Sequence, residues 1–180
     1  MTTPLILHRA VAVGFDQPFE MLHECHGRVE RMVVLLERLT AHLDQSGHDD
    51  QAAQAARDVM RYFDLAGPAH HQDEELHLFP LLRERGEPAL AGVVERLQRD
   101  HVAMGEAWAS LRIDLQAVAD GHLALPLAGP VRARWTAYAQ LYREHIVVEE
   151  AQAYPAARAL AGAGEQAAMG QEMAQRRGVR

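Results

Sequence analysis

Four long segments of the chain carry apolar residues at the three- and four-residue spacing of a helix that buries one face. Proline and glycine separate the segments, which span residues 18–47, 50–86, 87–121 and 129–160. Valine and isoleucine form no alternating runs, so the sequence predicts no strands. The connections are short, and we therefore expect an all-α chain folded as an antiparallel, up-down-up-down four-helix bundle.

The bundle should occupy residues 18–160, between an N-terminal leader (1–17) and a C-terminal tail (161–180) that is either a short helix or frayed. Pro68 and Pro80 fall inside the second segment, and each is expected to kink the helix.

Composition excludes several classes of protein. The 180 residues fit one domain, and 18 basic against 25 acidic residues argue against nucleic-acid binding. A single cysteine excludes an internal disulfide and a cysteine-rich metal site. No apolar run approaches the roughly 20 residues of a membrane span, and the first residues do not read as a signal peptide. We expect a cytoplasmic protein without membrane contact.

Polar residues interrupt the apolar faces of the last two segments. His101 lies on the face of the third, and His145 and Glu149 lie on that of the fourth. An ionised carboxylate in an apolar core costs several kcal/mol unless a cation or strong donors meet it. The spacing His145-x-x-x-Glu149 puts both side chains on one helix face, one turn apart, as two ligands of one metal site require.

The same pattern occurs twice. HHQDEELHLFP at residues 70–80 shares its first histidine, both glutamates, the aromatic residue and the proline with HIVVEEAQAYP at 145–155. The offset is 75 residues, and the same offset relates His101 to His26. These matches indicate a duplicated two-helix hairpin. The predicted metal ligands are His26, His70, Glu74, His101, His145 and Glu149.

Helix geometry alone leaves alternatives. His71 and Glu75 have the same spacing as the chosen pair, but Ile146 replaces His71 in the second copy. His23 falls off the buried face of the first helix, and Glu30 has no acidic counterpart in the second copy. We therefore keep His26 and the pair at 70 and 74.

The imidazoles should each need a partner for the second ring nitrogen, and the candidates are Glu75, Glu150, Asp73 and Tyr142. Without a metal, we expect one of two outcomes: burial and mutual repulsion raise the pKa of the two ligand glutamates, which then take up protons, or water enters the layer between the helices.

The two H-x-x-x-E-E-x-x-x-[FY]-P stretches resemble the hemerythrin family, in its HHE cation-binding branch. The segments CHGRVERM around His26 and DHVAM around His101 are also similar to family sequences. The resemblance covers residues 18–160 and implies a bundle that holds a non-haem di-iron centre. It also implies two bridging carboxylates, with two histidines on each iron. The bridges would be Glu74 and Glu149, one iron would bind His26 and His70, and the other His101 and His145.

One position departs from the oxygen-carrying hemerythrins, which have His-x-x-x-His on the third helix. Gly105 stands four residues after His101, which leaves two histidines per metal and weakens an oxygen-carrier role. Imidazole and carboxylate suit iron or manganese, and zinc is compatible with them. We expect two iron ions per chain, with manganese or zinc possible in the purified protein.

The leading functional hypothesis is a protein that binds or senses a small ligand such as O2, NO or peroxide. The alternative is a di-iron enzyme acting on peroxide or nitric oxide, or an iron donor or buffer. Any protein partner is unidentified, and a homodimer is possible.

Overall fold

The computed structural model describes residues 13–179, and all regular structure within this range is helical. The elements in chain order are α1 (Pro18–Ser46), α2 (Asp50–Asp73), a π-helical turn (Glu74–Leu78), α3 (Phe79–Arg85), α4 (Pro88–Ala119), α5 (Gly129–Val148), a second π-helical turn (Glu149–Ala153), α6 (Tyr154–Leu160) and α7 (Ala163–Arg176). Most of the predicted leader, residues 1–12, lies outside the described residues.

The boundaries of the long helices follow local chemistry. Proline stands in the first turn of α1, α4 and α5, where its missing N–H has no helical partner to lose. The side chain of Asp49 accepts a hydrogen bond from the Ala52 N–H at 2.8 Å and so caps α2. Gly47 ends α1 with a positive φ of 74°, which favours glycine.

Each copy of the repeated motif contains a π-helical turn that the sequence analysis did not foresee. The N–H of Phe79 donates to the carbonyl of Glu74, and the N–H of Tyr154 donates to the carbonyl of Glu149, so five residues separate each pair. The wider turn accommodates the following proline, which has no N–H and crowds the carbonyl four residues back. The expected kink at Pro80 is therefore a π turn, whereas α2 continues through Pro68.

Four helices surround the core: α1 and α4 each pack against both α2 and α5. Buried apolar residues form two clusters, one around Phe63, Trp135 and Tyr138, the other around Leu22 and Phe79. On α1, His26 lies between Leu22 of the second cluster and Val29 of the first, and on α4 His101 lies between Leu97 and Met104. A polar layer therefore separates the two apolar clusters.

The C-terminal tail, which the sequence predicted as either a short helix or frayed, forms the helix α7. This helix buries Met169 and Met173 against the second cluster. No helix within residues 13–179 combines the length and the apolar character that crossing a membrane requires.

Candidate metal centre

The six predicted ligands come together in the polar layer. All are buried, and the side chains of Glu74 and Glu149 are fully so. Two groups of four share these glutamates, and within each group the ligand atoms lie within 4.8 Å of one another. The first group is His26, His70, Glu74 and Glu149, and the second is Glu74, His101, His145 and Glu149.

The carboxylate of Glu74 faces both groups. Its Oε1 lies 3.3 Å from Nε2 of His70, and its Oε2 lies 3.4 Å from Nε2 of His101. The π turn that begins at Glu74 places this side chain at the boundary between the two pairs of histidines.

Glu149 repeats the arrangement from the opposite side. Its Oε2 lies 3.1 Å from Nε2 of His26, and its Oε1 lies 3.0 Å from Nε2 of His145. Each glutamate thus presents one oxygen to each pair of imidazoles, which is the arrangement of a carboxylate that bridges two cations.

The outer nitrogens of the histidines on α4 and α5 face carboxylates. Nδ1 of His101 lies 2.7 Å from Oε1 of Glu75, and Nδ1 of His145 lies 3.3 Å from Oδ2 of Asp100. If both Nδ1 atoms carry the proton, the two Nε2 atoms, 3.2 Å apart, face each other with lone pairs. Such a pair of nitrogens requires a cation or a proton between them.

On the other side, Nδ1 of His26 lies 2.6 Å from Oε1 of Glu150, which also contacts Nδ1 of the exposed His23 at 2.9 Å. Glu75 and Glu150 therefore have equivalent roles, each serving the histidine from the other half of the repeat. Two of the four partner candidates are thereby placed beside a predicted ligand.

The other two partner candidates lie elsewhere. Asp73 binds Arg176 and Arg177. The ring of Tyr142 stacks on the ring of His71, which is not one of the predicted ligands. Asp100 takes the role instead. The only sequence signal for Asp100 was its position next to His101. Adjacent residues of a helix point about 100° apart, so that position did not suggest a role in the centre. The histidine that Asp100 contacts is His145 on α5.

Five polar atoms of the six residues lack a partner, and four of them support the fit of a metal pair. Both ring nitrogens of His70, Oε2 of Glu74 and both oxygens of Glu149 are buried without a hydrogen-bond partner within the described chain. Orphaned buried polar atoms are rare in proteins because each costs free energy. A pair of divalent cations would satisfy four of the five, the three carboxylate oxygens and one nitrogen of His70, because a neutral imidazole binds a metal through one nitrogen only. The imidazole and carboxylate donors suit iron, manganese and zinc.

Tyr154 also reaches the centre, and the sequence analysis did not single it out. Its hydroxyl donates a hydrogen bond to Oε1 of Glu74 and lies 3.1 Å from Nε2 of His26, on whose ring it stacks with centroids 5.1 Å apart. Burial and the charges of Glu74 and Glu149 raise the pKa of Tyr154 well above its usual value, so the phenol keeps its proton. The first copy has Phe79 at this position.

His71 forms a third group with His101 and His145, although the sequence comparison excluded it from the ligands. Its ring is parallel to that of His101 within 9°, with centroids 3.9 Å apart. Burial, followed by the neighbouring imidazoles, holds the pKa of His71 well below its ordinary value. The ring is therefore neutral, which is the form that binds metals.

Of the two outcomes expected without a metal, a rise in the glutamate pKa values is wrong for the metal-free chain. Burial does oppose ionisation, but contacts with His145 and His26 outweigh it and lower the pKa of Glu149. Facing imidazoles likewise lower the pKa of Glu74. Burial also opposes the protonation of His26, but the carboxylate of Glu149, 3.1 Å away, outweighs burial and raises the pKa of His26 to about 9. Protonated imidazoles thus take the place of the cations.

Two openings reach the centre. On the His101 side, a cavity of about 270 Å³ is lined by His71, Gly105, Trp108 and Tyr142, among others. On the His26 side, a groove of about 720 Å³ is lined by residues including His23, Glu30, Arg143 and Glu150. Molecules of a few atoms can therefore approach either pair of histidines.

The remaining candidates lie outside the three groups. Glu30 binds Arg143 at 3.2 Å, and His23 contacts only the outer carboxylate Glu150 among the residues of the centre. Cys25 is half-buried, and burial raises the pKa of its thiol.

Comparison with known proteins agrees with this geometry. An uncharacterized protein of Haemophilus influenzae is 31% identical over 102 residues, which cover 57% of this chain and 59% of that protein's length. The model of the hemerythrin HHE cation-binding domain matches residues 17–157, which include both copies of the repeat and all six predicted ligands. The resemblance seen in the two motifs is thus confirmed, and the chain belongs to the hemerythrin HHE cation-binding domain family.

Proposed function

We propose that this cation-binding chain holds two iron ions in the polar layer, with Glu74 and Glu149 as bridges. The opposed oxygens of each glutamate carry the proposal, and four of the orphaned atoms support it. His26 and His70 would hold one ion, and His101 and His145 the other. Manganese or zinc can occupy the same donors.

We also propose that the bundle is an antiparallel, up-down-up-down arrangement built from a duplicated hairpin. The packing of α1 and α4 against both α2 and α5 supports it, as does the recurrence of the π turn after 75 residues.

A pair of iron ions would supply a redox-active site that binds small molecules such as O2, NO or peroxide. The chain's own residues would keep the centre in a water-poor layer between two apolar clusters and admit ligands through the cavity beside His101. We propose reversible binding or sensing of such a ligand as the function.

A second candidate is turnover of peroxide or nitric oxide. It is favoured by a chain of contacts that leads from the exposed His23 through Glu150 to His26, because such a chain could move protons to and from the centre during turnover. Iron donation or buffering would instead require weakly held, exchangeable metal.

Metal analysis of anaerobically purified protein tests the centre. We expect about two iron ions per chain in the wild type and loss of the paired centre in Glu74→Ala, because this carboxylate serves both ions. Glu75→Ala is the matched control: it removes the neighbouring carboxylate, which contacts only an outer nitrogen of His101, and should keep two ions. Metal-free wild type after careful reconstitution would overturn the proposal.

Stopped-flow mixing with excess peroxide, or with excess nitric oxide and a chemical reductant that supplies the electrons, separates the two functions. Sustained consumption identifies an enzyme, whereas uptake of one equivalent per centre identifies a binding or sensing protein.

A further inference from the structure

His71 breaks the symmetry of the centre. The repeat pairs each of the six predicted ligands with an identical residue in the other copy, but it pairs His71 with Ile146. A residue that only filled space here could be apolar, as it is in the second copy. A half-buried imidazole has a cost unless its nitrogens find partners, so this position calls for a reason.

The geometry gives that reason. One nitrogen from each of His71, His101 and His145 lies within 4.8 Å of the other two. The parallel stack on His101 places the ring of His71 on the outer side of this pair, at the wall of the 270 Å³ cavity. A metal lies in the plane of each imidazole that binds it, so the ring of His71 would have to turn out of its stack on His101 for all three nitrogens to reach the roughly 2.0–2.1 Å of a metal–imidazole bond.

The space beside this cluster is open. A side chain at Gly105, which lines the same cavity, would meet no atom within 4 Å. The ring of His71 therefore has free space on the Gly105 side of the cavity into which it can turn.

The other half of the centre offers no third imidazole among the described residues. Its additional polar group is the hydroxyl of Tyr154, which is already hydrogen-bonded to Glu74. The two ion positions therefore differ in their donors, three nitrogens on one side and two on the other.

We infer that His71 is a third imidazole ligand for the ion held by His101 and His145, and that this half binds its ion more tightly than the other. The inference rests on the proposed metal pair and assigns each half a different affinity. Metal-free protein should consequently load in two steps, the first at the half that contains His71.

Anaerobic titration of the metal-free protein with Co(II), followed by visible absorption, tests this directly. The wild type should bind two ions in resolved steps. His71→Ile, which copies the residue of the second copy, should lose the tight step and bind both ions with similar, weak affinity. Outer partners of ligands are worth about 10- to 100-fold in metal affinity, so loss of a direct ligand should cost at least about 100-fold.

Two further variants secure the interpretation. His71→Gln keeps a polar side chain and should lose the tight step as His71→Ile does, with circular dichroism showing that the helices remain. His122→Ile, which removes an exposed imidazole in the connection between α4 and α5, should titrate as the wild type.

The outcomes are distinct. A tight step that survives in both His71 variants, or a wild type that loads in one step, overturns this inference and leaves the metal pair intact. A wild type that binds no Co(II) overturns the metal pair and this inference with it.

Discussion

The hydroxyl of Tyr154 donates a hydrogen bond to Oε1 of Glu74, although the two residues lie 80 positions apart and in different copies of the repeat. The second copy thus contributes a donor to the central carboxylate of the first. The reverse contact does not exist, because the residue that corresponds to Tyr154 is Phe79 and has no hydroxyl.

Tyr154→Phe, which introduces the residue of the first copy, should destabilise the metal-free protein by about 1–3 kcal/mol, because a buried carboxylate oxygen loses its donor. The loss should be smaller in the metal-loaded protein, where a cation satisfies the same oxygen. Denaturant unfolding of both forms measures the difference. Tyr62→Phe is the control, since that hydroxyl makes only a 3.3 Å contact with the Cys25 carbonyl. Equal losses in the two forms would contradict a metal beside Oε1.

The C-terminal helix α7, which lies beyond the matched family domain, holds the residue next to Glu74. Asp73 is fully buried, and its carboxylate lies 2.9 Å from Nη1 of Arg176 and 2.6 Å from Nη2 of Arg177. Replacing both arginines with alanine should cost about 3–5 kcal/mol, because a buried charge loses its partners.

Arg85→Ala is the matched control for that pair of substitutions. Arg85 also joins α3 to α7, through Glu165 at 2.9 Å, but both side chains are exposed and the loss should stay below about 1 kcal/mol. Thermal unfolding and metal content of each variant check both expectations. A stable double variant with full metal content would show that α7 does not help to position Glu74.

Two glycines in α7 allow a test of how this helix is seated. A Cβ at Gly170 would lie 1.7 Å from the carbonyl oxygen of Phe15, whereas a Cβ at Gly164 would meet nothing within 4 Å. Gly170→Ala should therefore destabilise the protein and loosen α7, and Gly164→Ala should stabilise it by up to about 1 kcal/mol through helix propensity. Hydrogen exchange along α7 distinguishes the two, and equal protection in both variants would mean that Phe15 can yield.

The sequence could place the six residues together because the signal is periodic. A histidine or glutamate on the apolar face of a helix must enter the core, and the 75-residue repeat relates the faces of different helices. The same repeat also drew attention away from positions at which the two copies differ. Tyr154 was taken as the aromatic member of a shared motif, so its hydroxyl, which is where the two copies differ, received no weight.

Contacts between helices were beyond the sequence for a related reason. Asp100 and Glu150 each bind a histidine on another helix, and their partners depend on helix rotation and on the π turns. Those turns shift the register by one residue after Glu74 and Glu149, which no count based on 3.6 residues per turn includes. His71 was set aside by the repeat itself, because a deviation from the duplicated pattern was read as an absence of function.

The protonation of the metal-free centre predicts a specific pH dependence. The pKa of His26 is about 9 in the folded chain against an ordinary 6.5, because Glu149 and Glu74 outweigh the effect of burial, and the pKa of His101 is raised in the same way by Glu74 and Glu75. A folded pKa above the unfolded one stabilises the fold fully below about pH 6.5, and this stabilisation is lost as the pH rises through 9. We expect the free energy of unfolding of chelated protein to fall by up to about 3 kcal/mol over this range.

Metal-loaded protein should change much less, since its imidazoles are already neutral, and His26→Gln should flatten the profile of the chelated form. Denaturant unfolding at intervals of pH measures all three, and a flat profile for chelated wild type would mean that His26 carries no proton between the glutamates.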